Sequence, residues 1–197
     1  MEEDKKKIYS WAFYDWANSA YSTTVMAGFF PIFFEKFYSN PNDVIQSTYQ
    51  LGLANSISSV FIALVSPLLG AIADRGSAKK KLLIIFAFLG SLMTAALWLV
   101  QKGDWQLAVF FYIIATIGFM AGNIFYDSLL PSVAGREKVD YVSALGYSLG
   151  YLGGGLLFLI NVLMYLHPDW FGIPDSSTAI RISFVSVAIW WAIFTVP

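Results

Sequence analysis

The sequence predicts an all-α membrane protein, a bundle of six transmembrane helices. Three observations predict it. The 197 residues are 57% hydrophobic and only 13% charged, whereas a soluble domain carries roughly 25% charged residues. The apolar residues fall into six runs of roughly 18 to 26 residues, each enough at about 1.5 Å per residue to cross a hydrocarbon core of about 30 Å. Lysine and arginine are also divided unequally between alternate connections, nine on one side and three on the other. That bias holds the basic side in the cytoplasm.

Residues 1–10 read as a charged cytoplasmic tail, with three acids followed by Lys5, Lys6 and Lys7. Residues 11–197 read as one six-helix bundle. The first span, 11–34, opens on the interfacial anchors Trp11 and Trp16 and holds Pro31 near its far end. It is too long, and too interrupted by Asp15 and Asn18, for a cleaved leader. An external turn around Asn40-Pro41-Asn42-Asp43 leads to the second span, 49–73, rich in small residues and carrying Pro67. A basic turn, Asp74 to Lys81, joins it to the third span, 82–100. The segment from Gln101 to Asp104 is a tight external turn between Trp98 and Trp105. The fourth span, 105–130, is ended by Pro131. A polar inner loop with Arg136, Glu137, Lys138 and Asp140 precedes the fifth span, 142–166. The sixth span, 178–195, follows a loop rich in proline and glycine. Arg181, at its start, either snorkels outward or faces the protein.

Several chemistries are excluded by composition. There is no cysteine, so disulfides and thiolates are absent, and the single His167 forms no metal cluster. A net charge of −1 offers nucleic acid no basic surface. No cofactor motif is present: Gly153-Gly154-Gly155 lacks the lysine and hydroxyl residue of a phosphate loop. No nucleophile–base pattern supports an enzyme.

Polar groups inside hydrocarbon are expensive, so each is a candidate site. Asp15, Asn18 and Ser22 share one side of the first span, at spacings of three and four. Asp15 reads either as a gating or proton-linked carboxylate, or as a helix-start acid paired with a cytoplasmic cation. Asn18 reads as a solute or packing contact. The triplet Phe13-Tyr14-Asp15 recurs as Phe125-Tyr126-Asp127, with Asn123 one turn before Asp127. Each inner mouth therefore carries one carboxylate and one tyrosine, placed to latch against Arg136, Lys138 or the basic turn. Asn55 and Ser59 line either a cavity or a helix interface. Tyr147, with Tyr151 four residues on, presents a hydroxyl to a cavity or packs at an interface. Gly118 and Gly122, and the stripe Gly146, Gly150, Gly153 and Gly154, allow close helix approach, which in lipid depends on small side chains.

The turn Gly70-x-x-x-Asp74-Arg75 with its following lysines, between the second and third of six spans, resembles the signature loop of the major facilitator superfamily. Its usual second glycine is displaced to Gly76. The resemblance implies a cytoplasmic latch in which Gly70 permits close packing, Asp74 forms the latch, and Arg75 with Lys79 or Lys80 adds ionic contacts. Gly146-x-x-x-Gly150-x-x-Gly153-Gly154 resembles the superfamily's glycine-rich fifth-helix motif. The longer blocks Trp11 to Tyr21, Phe125 to Pro131 and Leu145 to Gly155 resemble the vacuolar amino-acid effluxer-like family, across essentially the whole chain.

The resemblance implies one six-helix half of a twelve-span fold, with the solute between the halves. Its expected partners are membrane lipid, a small polar solute such as an amino acid, and a carboxy-terminal six-helix half beyond this chain. Its expected place is a plasma or bacterial inner membrane, with both ends of the chain cytoplasmic. Two functions stand at this point. A transporter requires a polar stripe on spans one, two, four and five facing a shared cavity. A scaffold or receptor built on the same bundle requires those groups satisfied within it.

Overall fold

The computed structural model describes residues 2–74, 78–135 and 137–196. These residues form six helical rods joined by short turns. The first, α1, begins at Glu2 and is α-helical through Ala20. The charged residues read as a tail are thus its opening turns. No helix breaker stands between them and Trp11, and glutamate and lysine are good helix formers. Beyond Ala20 the rod widens to π-helical turns at Tyr21–Phe29, returns to α at Phe30–Phe33 and widens again at Phe34–Tyr38. The cause is local. The Ser22 and Thr23 hydroxyls donate to the Ser19 carbonyl at 3.0 and 2.9 Å, which loosens the ladder there. Pro31 then removes one backbone donor.

Helix α2 spans Val44–Asp74, starting five residues before the expected boundary. Asp43 sets that start: its carboxylate accepts the Gln46 N–H at 2.9 Å. Helix α3 is Lys79–Ala96, closed by a 3₁₀ turn at Leu97–Leu99. Helix α4 is Trp105–Ala134. Pro131 does not end it as expected. The helix passes through that proline and stops at Gly135, whose φ of 64° reverses the backbone. Helix α5 is Val139–Leu166, and α6 is Ser176–Thr195.

Asp175 caps α6, accepting the Thr178 N–H at 2.8 Å and the Thr178 hydroxyl at 3.1 Å. These bonds, the backbone one foremost, hold its carboxyl below the ordinary value of 3.8. A carboxyl depressed by folding stabilises the cap above its unfolded pKa. That contribution is lost as pH falls through the folded value. Amide exchange at Thr178 is therefore expected to accelerate only below about pH 4, where unfolded aspartate titrates. The Asp175→Asn variant should show no such step.

The helices stand in two rows. In one, α4 packs between α2 and α3; in the other, α1 packs between α5 and α6. The rows meet where α3 touches α6 and α1 touches α4. Exchanging each helix for the one three along maps these contacts onto themselves, the symmetry of paired three-helix repeats. Small residues set the crossings. A methyl group built on Gly118 falls 2.8 Å from the Gly90 backbone, and one on Gly153 falls 2.6 Å from the Trp16 ring.

Five helices, α2 to α6, are long and apolar enough to cross a membrane. The charged opening turns and changing winding keep α1 outside that simple criterion. Its apolar stretch packs between α5 and α6 among them. Ile57, Val60, Leu64, Leu68, Phe110, Leu159 and Ile193 lie exposed along these rods. In water such a surface would associate; in hydrocarbon it is the solvated face. The chain is a multi-pass integral membrane protein. Arg181 faces the protein: its guanidinium donates to the Trp98 carbonyl and lies 4.8 Å from the Trp98 ring centroid.

Candidate functional site

A polar groove runs between α1, α4 and α5. The spacing of Asp15, Asn18 and Ser22 puts them on one stripe of α1, and the packing of α1 against α5 leaves that stripe open beside α4. Asn18 is buried, and its side-chain amide donates to the Asn123 side-chain oxygen, Oδ1, of α4 at 2.5 Å. Ser19 donates to Asp15 at 3.3 Å. Two hollows flank this pair. One, of about 230 Å³, is lined by Asp15, Asn18, Ser19, Ser22, Thr23, Asn123, Tyr147 and Tyr151. The other, of about 130 Å³, is lined by Asp15, Asn123, Asp127, Ser143 and Tyr147. They share Asp15, Asn123 and Tyr147 and form one groove.

The repeated triplets meet in space. Tyr14 and Tyr126 pack with ring centroids 5.1 Å apart. Trp11 stacks on Tyr126 at 4.2 Å and donates its indole N–H to the Tyr126 carbonyl at 3.0 Å. This aromatic cluster sets both aspartates on the same hollow. Among the described residues neither carboxylate is paired with a lysine or arginine. Lys138 is exposed, and Arg136 lies outside the described residues.

The glycines lie at the crossings that shape the groove. Methyl groups built on Gly146, Gly150 and Gly154 would fall within 2.9 Å of Trp11, of Ser19 and Asp15, and of the Ser19 carbonyl, respectively. One on Gly122 would meet the Tyr14 hydroxyl at 2.7 Å. A larger residue at Gly154 would meet α1 backbone and push that helix away, whereas one at Gly146 or Gly150 would first displace the Trp11, Ser19 and Asp15 side chains.

The second span stands apart. Asn55 accepts a hydrogen bond from the Tyr112 hydroxyl at 2.9 Å, and Ser59 is exposed. Neither lines the groove, because α2 packs on α4 rather than on the α1–α5 pair. The basic turn is also separate. A methyl on Gly70 would meet nothing within 4 Å, so within this bundle the glycine is not required for packing. Asp74 is exposed and makes no ion pair among the described residues, and Arg75 lies outside them. Among the described residues Lys79 makes no ionic contact; its ammonium donates to the Ser128 carbonyl at 2.9 Å, tying the turn to α4. Lys80 faces a different cavity. Ser19, Thr23 and Ser143 belong to the groove and were not anticipated. Their signal is helical spacing: four and eight residues after Asp15, and four before Tyr147.

Known proteins place this geometry. A family model described as "Vacuole effluxer Atg22 like" matches residues 41–141 and 135–197, which is most of the chain. The chain belongs to the Atg22-like family. It is 38% identical over 199 residues to an uncharacterized MFS-type transporter, YxiO, of Bacillus subtilis, covering all of this chain and 46% of that protein. It is 31% identical over 163 residues to an uncharacterized protein of Aquifex aeolicus, covering 81% of this chain and 40% of the relative. It is 26% identical over 190 residues to autophagy-related protein 22 of Pichia angusta, covering 85% of this chain and 32% of the relative. No solved structure matches the chain. The chain spans about half the length of the relatives it matches. Its six helices are therefore half of a major facilitator fold. In this Atg22-like half, the polar groove is open on one side of an otherwise apolar bundle.

Proposed function

We propose that the chain is the amino-terminal half of a secondary transporter. The groove between α1, α4 and α5 is its share of the solute path. A second six-helix bundle closes over it, and rocking of the two halves exposes the groove to each side of the membrane in turn. The distribution of lysine and arginine supports both ends of the chain being cytoplasmic, in a plasma or bacterial inner membrane. The observation that carries the reading is the open groove itself. Tyr147 and Tyr151, at 66% and 75% exposed, stand beside two carboxylates that have no cationic partner among the described residues. A scaffold would satisfy such groups internally, since leaving them to lipid is costly.

The chemistry favours a small solute with an ammonium group. Asp15 and Asp127 give one end of the groove negative charge, and Asn18, Asn123 and the hydroxyls supply neutral hydrogen bonds. An amino acid fits that description, and the kinship with effluxers and an MFS-type transporter supports it. That kinship gives no support to an enzyme. Asp74 and the basic turn act as a latch only against the second half, and the exposure of Asp74 and Lys80 supports that.

The test is flux in proteoliposomes made with the full-length protein and labelled amino acids, comparing wild type with Asp15→Asn and Asp127→Asn, with and without a pH gradient. Saturable flux reduced tenfold or more by either change is expected. Flux absent for every amino acid in folded protein removes amino acids as the solute. Flux indifferent to both changes removes the groove as the path.

A further inference from the structure

A vestibule of about 500 Å³ lies at the end of the bundle that carries the basic turn. It sits between the opening turns of α1, the start of α3 and the ends of α4 and α6, where Ser10, Leu83, Val133 and Thr195 line it. Lys6 and Lys80, also on its wall, are exposed, so the vestibule opens to water at that end. Trp11 and Tyr126 line the vestibule, and they also line the groove hollow that holds Asp15 and Asp127. The two spaces therefore face each other across one stacked pair of rings.

The pair is built to close tightly. The rings lie 4.2 Å apart with 9° between their planes, and the indole N–H is held by the Tyr126 carbonyl at 3.0 Å. Gly146 of α5 seats both: a methyl there would fall 2.7 Å from the Trp11 ring and 2.8 Å from the Tyr126 hydroxyl. An aromatic wall between two wet spaces excludes water as an apolar constriction does. The pair also has a reason to part. The Tyr126 hydroxyl is buried and has no hydrogen-bond partner among the described residues. Such a group is costly, and water entering between the two spaces would relieve it. From this wall, one side chain thick, we propose that Trp11 and Tyr126 form an inner gate. Closed, the pair keeps the carboxylate end of the groove from the vestibule. When the Trp11 indole swings off the Tyr126 ring, water and small cations reach Asp15 and Asp127 from the basic end. This route runs through one half, beside the path between the two halves. It rests on the reading of the groove as a water-filled solute path.

The experiment places one cysteine at Ser143, on the groove side of the pair, in the full-length protein with any other cysteine removed. Sealed vesicles of each orientation present one face at a time to a small cationic, membrane-impermeant methanethiosulfonate. Trp11→Ala should raise the reaction rate from the face bearing the basic turn about tenfold and leave the rate from the opposite face within about twofold. Gly146→Ala should act the same way, since its methyl displaces the two rings and not the α1 backbone. This change of one methyl carries the test where Trp11→Ala melts below wild type. Trp11→Phe, which keeps a ring on Tyr126, should react like wild type. Val133→Trp, which fills the vestibule, should return Trp11→Ala to the wild-type rate. A rise at the basic face matched by a fall at the other shows a shifted balance between the conformations of the two halves, and overturns the gate. Trp11→Ala and Gly146→Ala reacting like wild type overturn it too. Wild-type reaction from the opposite face keeps the groove whatever the gate does. Reaction from neither face in any variant removes the groove as a path, and the gate with it.

Discussion

Replacing Gly118 by leucine is expected to prevent normal packing of the bundle. Gly118 sits where α4 crosses α3, and even a single methyl there would lie 2.8 Å from the Gly90 Cα, the Gly90 nitrogen and the Phe86 carbonyl oxygen. All three are backbone atoms, so no side chain can rotate away. Overpacking in a well-packed core typically costs ~1–3 kcal/mol, and a clash with backbone belongs at or above the top of that range. The loss spreads further, because Trp191 of α6 packs directly against Gly90. Gly155→Leu is the matched control, since a methyl on Gly155 meets nothing within 4 Å. Thermal melting in detergent should show Gly118→Leu failing to fold or melting far below wild type, with Gly155→Leu unchanged. Equal melting of the two would show that the α3–α4 crossing does not depend on its glycines.

Asn18→Leu should abolish at least nine-tenths of transport while leaving the protein folded. Interhelical hydrogen bonds in membranes are worth only about 0.6 to 1.7 kcal/mol to stability, too little to unfold a bundle of this size. The functional loss is larger because two groove features change together. The Asn123 side-chain oxygen, Oδ1, loses its donor at 2.5 Å, and leucine fills a polar hollow with apolar volume. Asn123→Leu should behave alike, and the double variant should lose little more than either single change. Asn55→Leu, whose partner is Tyr112 at the α2–α4 contact, should retain flux within about twofold, well under the tenfold that 1.4 kcal/mol represents. Initial rates in proteoliposomes decide between these outcomes.

The spans of α2 to α6 were legible in the sequence because hydropathy and length specify a helix that must satisfy its backbone in lipid. Boundaries were less so. Asp43 lengthens α2 at its start through a side-chain cap, and Gly135 rather than Pro131 stops α4, since a proline near a helix end can be accommodated where a glycine at positive φ reverses the chain. The winding change at Tyr21 depends on hydroxyls returning to the Ser19 carbonyl, and composition does not announce that. Helical spacing placed Asp15, Asn18 and Ser22 on one side of a rod. It could not say which neighbour that side meets, so the Asn18–Asn123 bond and the meeting of the two tyrosines emerged only from packing. The same blindness left Asn55 and Ser59 between a cavity and a helix interface, although their helix belongs to the other row. The cavity that Lys6, Lys7 and Ser10 line together with Lys80 and Leu83 was missed because residues 1–10 read as a tail, and a tail builds no wall.

The chain contains no cysteine, which makes one measurement unusually clean. Single cysteines are placed at Ser22 in the groove and at Leu64 on the apolar face of α2, with any cysteine elsewhere in the full-length protein removed. Each is then exposed to a charged, membrane-impermeant thiol reagent. A water-filled path between two halves predicts that Ser22→Cys reacts readily, that its modification blocks flux, and that Leu64→Cys stays unreactive. Reaction at Ser22→Cys no faster than at Leu64→Cys would mean that the groove is sealed within protein or lipid, and that solute does not pass along it.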